Sequence, residues 1–244
     1  MSDIKYKRVL IKLSGEALAA AGGFGFDFDL AARVCDKIKQ CAQLGVQIAI
    51  VVGAGNLWRG RQGGDMDRSA ADQMGMLATM INCLALKETF RSIGCRAEVL
   101  SASFMPQYAE PYTKSKACEY LDDGRIVIFG CGTGNPYFTT DTAAALKAAE
   151  IEADIALFAK NIDGVYDSDP KQNAGAKRFS HLSYTDLLSK HLKVIDATAA
   201  ALCEDNDMPV LIFELGDGSN IVKAVTGKDI GTVLNNKKQS GGTL

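Results

Sequence analysis

Short apolar runs rich in β-branched residues alternate with longer stretches at helical spacing, and this alternation organises the whole chain. The runs at 9–13, 46–52, 97–100, 126–129, 155–158 and 210–213 predict strands. Between them the spacing predicts helices over 30–44, 70–93, 142–150, 185–189 and 198–205. Near-continuous apolar strands separated by helices imply an α/β fold with a mostly parallel sheet covered on both faces. The helix over 70–93 has the clearest face, with Met74, Leu77, Ile81 and Leu84 three and four residues apart, and the methionines of this helix read as core filler. No internal repeat or Pro/Ser-rich linker divides the chain, so residues 1–236 read as a single domain. The polar, glycine-rich end at 237–244 reads as a loose tail.

Composition narrows the function classes. The net charge of −2 gives no electrostatic reason to expect nucleic acid or an acidic membrane as the main partner. Seven cysteines are scattered without a C-x-x-C pair, a pattern of reduced thiols in a cytoplasmic protein. The first residues lack the apolar stretch of a secretory signal, and no run approaches the ~18 apolar residues of a membrane span.

The candidate chemistry sits in glycine-rich turns that follow strands. Ser14-Gly15 follows the first, Gly53-Ala54-Gly55 the second, and the run from Gly130 through Thr133-Gly134-Asn135-Pro136-Tyr137-Phe138-Thr139-Thr140-Asp141 a later one. In a parallel sheet all three share the rim where ligands bind, and glycine turns at helix starts suit phosphate. Lys12 lies inside an apolar strand. It either faces solvent or, in a strand covered on both faces, needs an anion at its tip. The turn Gly53-Ala54-Gly55-Asn56-Leu57-Trp58-Arg59-Gly60 matches neither familiar phosphate motif. Trp58 stands where the dinucleotide fingerprint needs a glycine, and Arg61 and Gln62 follow Gly60 where a P-loop needs lysine and a hydroxyl. Arg59 can offer its fork to phosphate oxygens or lie in water.

Asp72 either complements a helix dipole or accepts from a ribose hydroxyl. The cluster Thr139-Thr140-Asp141-Thr142 caps a helix, and its spare groups could bind phosphate, meet magnesium or orient Lys12. Asp163-Gly164-Val165-Tyr166-Asp167-Ser168-Asp169-Pro170 is a turn first, though Tyr166 could line an adenine pocket. His181 and His191 lie outside these turns, which disfavours a Ser-His-Asp triad. Phosphoryl transfer onto another phosphate fits better. The acceptor oxygen is already ionised, and the reaction needs alignment and positive charge instead of a strong base.

Lys12-Leu13-Ser14-Gly15-Glu16-Ala17-Leu18, Gly55-Asn56-Leu57-Trp58-Arg59-Gly60, Asp72-Gln73-Met74-Gly75-Met76-Leu77-Ala78-Thr79 and the Thr133 to Asp141 run together resemble the bacterial uridylate (UMP) kinases of the amino acid kinase family. The likeness runs in order from about Lys7 to Leu234. It implies an αβα sandwich whose N-terminal part binds the acceptor and whose C-terminal part binds ATP. The implied reaction is ATP and UMP giving ADP and UDP, with Mg2+ carried by ATP and no direct protein ligand, in a homohexamer. Lys12, Asp141, Arg59 and Asp196 are the implied catalytic residues. ATP would lie near Lys12, Leu13, Ser14, Gly15, Gly55, Arg59, Tyr166 and Asp169, with either Lys160 or Asn161. UMP would contact Ala54, Asp72, Thr133, Gly134, Asn135, Pro136, Tyr137, Phe138, Thr139 and Thr140. Ala20, Ala21, Gly22, Gly23, Phe24 and Gly25 correspond to a region linked to GTP activation, and UTP inhibits many such enzymes. Two rivals stand beside this reading: a carboxylate or carbamate kinase of the same fold, and a nucleotide-binding regulator without turnover.

Overall fold

The computed structural model describes residues 4–20, 22–59, 64–170, 172–173 and 175–236. Ala21, Gly60 and the 237–244 tail therefore lie outside the described residues.

Strand β1 (Arg8–Leu13) occupies the middle of a nine-stranded sheet. On one side follow β2 (Gln47–Val52), β5 (Ile126–Gly130), β3 (Ala97–Ser101) and β4 (Glu110–Pro111). On the other come β6 (Ile155–Lys160), β10 (Val210–Glu214), β11 (Thr232–Leu234) and β9 (His181–Leu182). All pairings are parallel except β10 with β11. A separate ribbon pairs β7 (Val165–Tyr166) with β8 (Arg178–Phe179).

Alternation along β1 sets the layers. Val9, Ile11 and Leu13 face one core with α1 (Phe28–Gln43), α2 (Arg68–Ser92) and α7 (Ser219–Val225). Leu10 faces the other core, with α3 (Lys114–Asp122), α4 (Thr140–Glu150), α5 (Tyr184–Ser189) and α6 (Ala197–Asp205). The αβα sandwich is as expected. No helix among the described residues is long and apolar enough to cross a membrane.

The six expected strands and five expected helices are present within two residues at each end. Three helical pieces had weak patterns: the polar α3, the seven-residue α7, and a single 3-10 turn at Gly15–Leu18.

The expectation that the α2 methionines fill the core holds for Met80, which is buried, and for Met76, which packs against the core, but not for Met74 or the stripe it heads. Met74, Leu77, Ile81 and Leu84 do not pack into the core; they are 40, 56, 58 and 37% exposed. The buried face of α2 carries Ala78, Thr79, Met80, Asn82, Cys83, Leu86 and Phe90. Helix α2 is apolar on two sides, so the 3.6-residue period finds a stripe without telling which one meets the sheet.

Candidate active site

The site lies at the carboxyl rim, where the strand order reverses between β1 and β6. Lys12 pairs in register with Phe158. Two residues on, Lys160 therefore projects from the same face of the sheet as Lys12. Helix α4 crosses that face and presents Asp141 in its first turn. The Asp141 carboxylate bridges the two cations: Oδ1 is 2.9 Å from Lys12 Nζ and Oδ2 is 3.0 Å from Lys160 Nζ. Lys160 Nζ also donates to the Val194 carbonyl.

Burial acts on Asp141 and Lys160 in this cluster. Desolvation alone would raise the Asp141 carboxyl, but Lys12 and Lys160 outweigh it and hold the group below the usual carboxylate range. Burial pushes Lys160 below an ordinary lysine, with Asp141 opposing and Lys12 reinforcing the shift. Lys12 itself is only 8% exposed, so its strand position is the buried alternative.

The three glycine turns meet around this cluster. A Cβ on Gly15 would lie 2.5 Å from the Gly53 carbonyl oxygen, so only glycine lets the first two turns touch. Ala54, Gly55 and Asn56 donate their backbone N–H groups to no protein acceptor among the described residues. Arg59 reaches back across the turn, with its guanidinium 3.0 Å from Glu16 and Nε donating to the Gly55 carbonyl at 3.1 Å.

The third turn is strained and clamped. Cys131 and Tyr137 adopt left-handed backbone at φ 62° and 72°, which costs about 1 kcal/mol or more for a non-glycine residue. Side chains of α2 hold both N–H groups: Thr79 Oγ1 accepts from Cys131 at 3.0 Å, and Asp72 Oδ2 accepts from Tyr137 at 2.8 Å. Thr139 then caps α4, accepting from the N–H groups of Asp141 and Thr142 at 3.1 and 3.3 Å while donating its own proton to Asp196. Asp196 caps α6 through the Ala199 N–H and also accepts from Thr142 Oγ1. It touches neither Lys12 nor Asp141 by hydrogen bond or ion pair; its links to the site are the hydrogen bond from Thr139 and its charge near Lys160.

Two cavities open beside the charged centre. One, of about 600 Å3, is lined by Ala54, Gly55, Arg59, Asp72, Thr133, Asn135, Phe138, Thr139 and Thr140 among others. The other, of about 620 Å3, is lined by Asn161, Gly164, Tyr166, Asp169, Val194 and Glu214 among others. Most of the expected acceptor residues line the first cavity; of the expected ATP residues, Asn161, Tyr166 and Asp169 line the second, whereas Gly55 and Arg59 line the first. Gly134, Pro136 and Tyr137 belong to the acceptor loop without lining its cavity; Tyr137 stacks its ring under the Arg68 guanidinium at 4.7 Å. Leu13 turns its side chain into the core, leaving only backbone to face a ligand. Lys160 joins the charged centre, and Asn161 lines the second cavity. No role was anticipated for Glu16, Thr79, Asn82 or the Val194 carbonyl, although Glu16 and Thr79 lay inside motifs that the sequence had singled out; Asn82 lay outside them.

In the 22–25 segment, Phe24 is 72% exposed and Gly25 hangs on the second turn through its N–H to the Asn56 carbonyl at 2.9 Å.

The model of the amino acid kinase family matches residues 7–214. Among solved structures, the chain is similar to UMP kinase from Bacillus anthracis, at 37% identity and a TM-score of 0.92 over 96% of this chain and 97% of that one. A UMP kinase from Ureaplasma parvum gives 37% identity and 0.90, over 96% and 100%. Uridylate kinase from Archaeoglobus fulgidus gives 30% and 0.71, over 93% and 99%.

Proposed function

The chain belongs to the amino acid kinase family, and from that premise we propose that it transfers the γ-phosphoryl group of ATP to UMP, giving ADP and UDP. One observation carries the choice of substrate. Cavities of about 600 and 620 Å3 open beside a single Lys12–Asp141–Lys160 centre: Thr140, next to Asp141, lines the first, while Asn161, next to Lys160, and Val194, whose carbonyl accepts from Lys160, line the second. Each is of the size that holds a nucleotide, and the acceptor cavity is far larger than carbamate or a small amino acid requires.

The chemistry follows from the charges. Two ammonium groups and one carboxylate leave a net positive centre, in a partly desolvated site, where the phosphates of donor and acceptor would meet. Asp141 keeps the two cations at fixed separation, and free N–H groups of the Gly53 turn add donors without adding flexible charge. Arg59 would exchange Glu16 for a phosphate oxygen. Both Asp141 oxygens are taken by lysines, so magnesium would be held by the phosphates of ATP; when bound there it neutralises their charge. Thr79 and Asp72 keep the acceptor loop in its strained shape.

The same reading includes a homo-oligomer, a hexamer by resemblance. The exposed stripe of Met74, Leu77, Ile81 and Leu84 on α2 supports self-association through that helix. GTP activation through Ala20 and Gly22 to Gly25, and inhibition by UTP, belong to the reading as well. Seven unpaired cysteines support a cytoplasmic setting.

The test is a coupled assay with Mg-ATP across candidate acceptors. UMP should yield ADP rapidly, with far less from CMP, aspartate or carbamate. Turnover with carbamate and none with UMP would overturn the proposal.

A further inference from the structure

The acceptor-side turn is fastened from behind by two buried amides. Asn56 is 1% exposed and Asn82, on α2, is 0% exposed. Asn82 Nδ2 donates to the Gly53 carbonyl at 2.8 Å and to Asn56 Oδ1 at 2.8 Å. Asn56 Nδ2 donates to Asn82 Oδ1 at 3.1 Å and to the Gly25 carbonyl at 2.7 Å. Every amide proton of the pair is used. Both ends of the chain of bonds are backbone carbonyls, which only accept, so neither amide can flip without setting oxygen against oxygen.

The consequence reaches the site. The Gly53 carbonyl that Asn82 holds is the one packed against Gly15. The two groups of a trans peptide point opposite ways, so clamping that carbonyl also fixes the direction of the Ala54 N–H. Ala54 and Gly55 line the acceptor cavity, and their N–H groups have no protein acceptor among the described residues. We infer that Asn82, working through Asn56 and the Gly53 carbonyl, is a positioning residue that aims the turn's free N–H groups at the acceptor's phosphate. It touches no reacting atom. This inference rests on the UMP kinase reading for the identity of the acceptor only.

Asn82→Ser and Asn82→Asp test it, with Thr89→Val as a control that removes a buried hydroxyl on the same helix, bonded only to the Ala85 carbonyl. In folded Asn82→Ser, the KM for UMP should rise at least ~10-fold, as a misdirected binding group costs, while the KM for ATP stays within about twofold. Thr89→Val should move neither. A merely structural role would lower the active fraction and leave both KM values alone, which would overturn the inference. If Asn82→Ser does not fold, Asn82→Asp decides. Its ionised carboxylate faces the Gly53 carbonyl, whereas the protonated form can donate to it. Its kcat/KM for UMP, relative to the wild type, should therefore climb as pH falls from about 8 to about 6. A pH-independent ratio would sink the idea.

Should the wild type itself fail to use UMP, the substrate reading falls but the positioning claim remains testable. Trp58 is the only tryptophan and sits in this turn. Its emission should shift to the red in Asn82→Ser and not in Thr89→Val; an unchanged spectrum would count against the inference.

Discussion

Asp141 holds two ammonium groups at 2.9 and 3.0 Å, an arrangement in which each charge is costly alone and tolerable only with its neighbours. Removing Lys12 takes a cation from the point where phosphates would meet, so Lys12→Ala should lower kcat by at least ~10²-fold, the scale of losing one preorganised electrostatic donor. Steady-state rates within a few-fold of wild type would remove Lys12 from catalysis. Lys160 titrates below the ordinary lysine value of 10.5, so its charge is lost earlier as pH rises. The rate should accordingly show an alkaline limb beneath pH 10.5 that moves upward in Lys160→Arg; a flat profile through that range would contradict it. Asp141 runs the other way. Its folded value lies below 3.8, so the unfolded chain takes up the proton first and the carboxylate's contribution to stability is complete above about pH 4. It is then lost as pH falls through the folded value. Denaturant melts should show the gap between wild type and Asp141→Asn constant near neutrality and narrowing only below about pH 4. Lys12 and Asp141 were legible because each interrupts a pattern, a cation in an apolar strand and a carboxylate at a helix start. Lys160 could not be weighed the same way, because its place beside Lys12 depends on the pairing of β1 with β6, which no local spacing encodes.

At the scale of elements, helices α2, α4 and α6 do more than cover the sheet. Asp196 caps α6 and anchors Thr139, the cap of α4. Asp196→Ala should cost about 1 kcal/mol from the lost cap and slow turnover as well, because the Asp141 end of α4 loses its tether. An equal loss of stability with full activity would limit Asp196 to capping. Helix α2 holds the acceptor loop from one face and exposes an apolar stripe on the other. Leu77→Asp should therefore change the oligomeric state on size-exclusion chromatography with light scattering, while the monomer stays folded. An unchanged assembly would place self-association elsewhere. This helix is also where sequence periodicity misled. Its true inner face mixes Thr79, Asn82 and Thr89 with apolar residues, polar groups that only tertiary partners make acceptable in a core.

Across the whole molecule, the strand order delivers the site. With β1 central and its neighbours parallel, three turns far apart in sequence share one rim, and that much followed from the alternation of apolar runs and glycines. The antiparallel β11 and the short β9 did not. They are brief edge strands whose pairing is set by where the chain returns, not by a pattern within them. The separation of the two cavities was likewise invisible before the fold placed Asn161 and Tyr166 in a different cavity from Asp72 and Thr133. The central claim is that donor and acceptor nucleotides meet end to end over that carboxylate and its two lysines. A compound joining adenosine and uridine through one polyphosphate chain tests it directly, by calorimetry against the wild type. One molecule should bind per chain, displaced by both ATP and UMP, and far more weakly in Lys12→Ala. Two molecules per chain, or displacement by only one of the nucleotides, would contradict it.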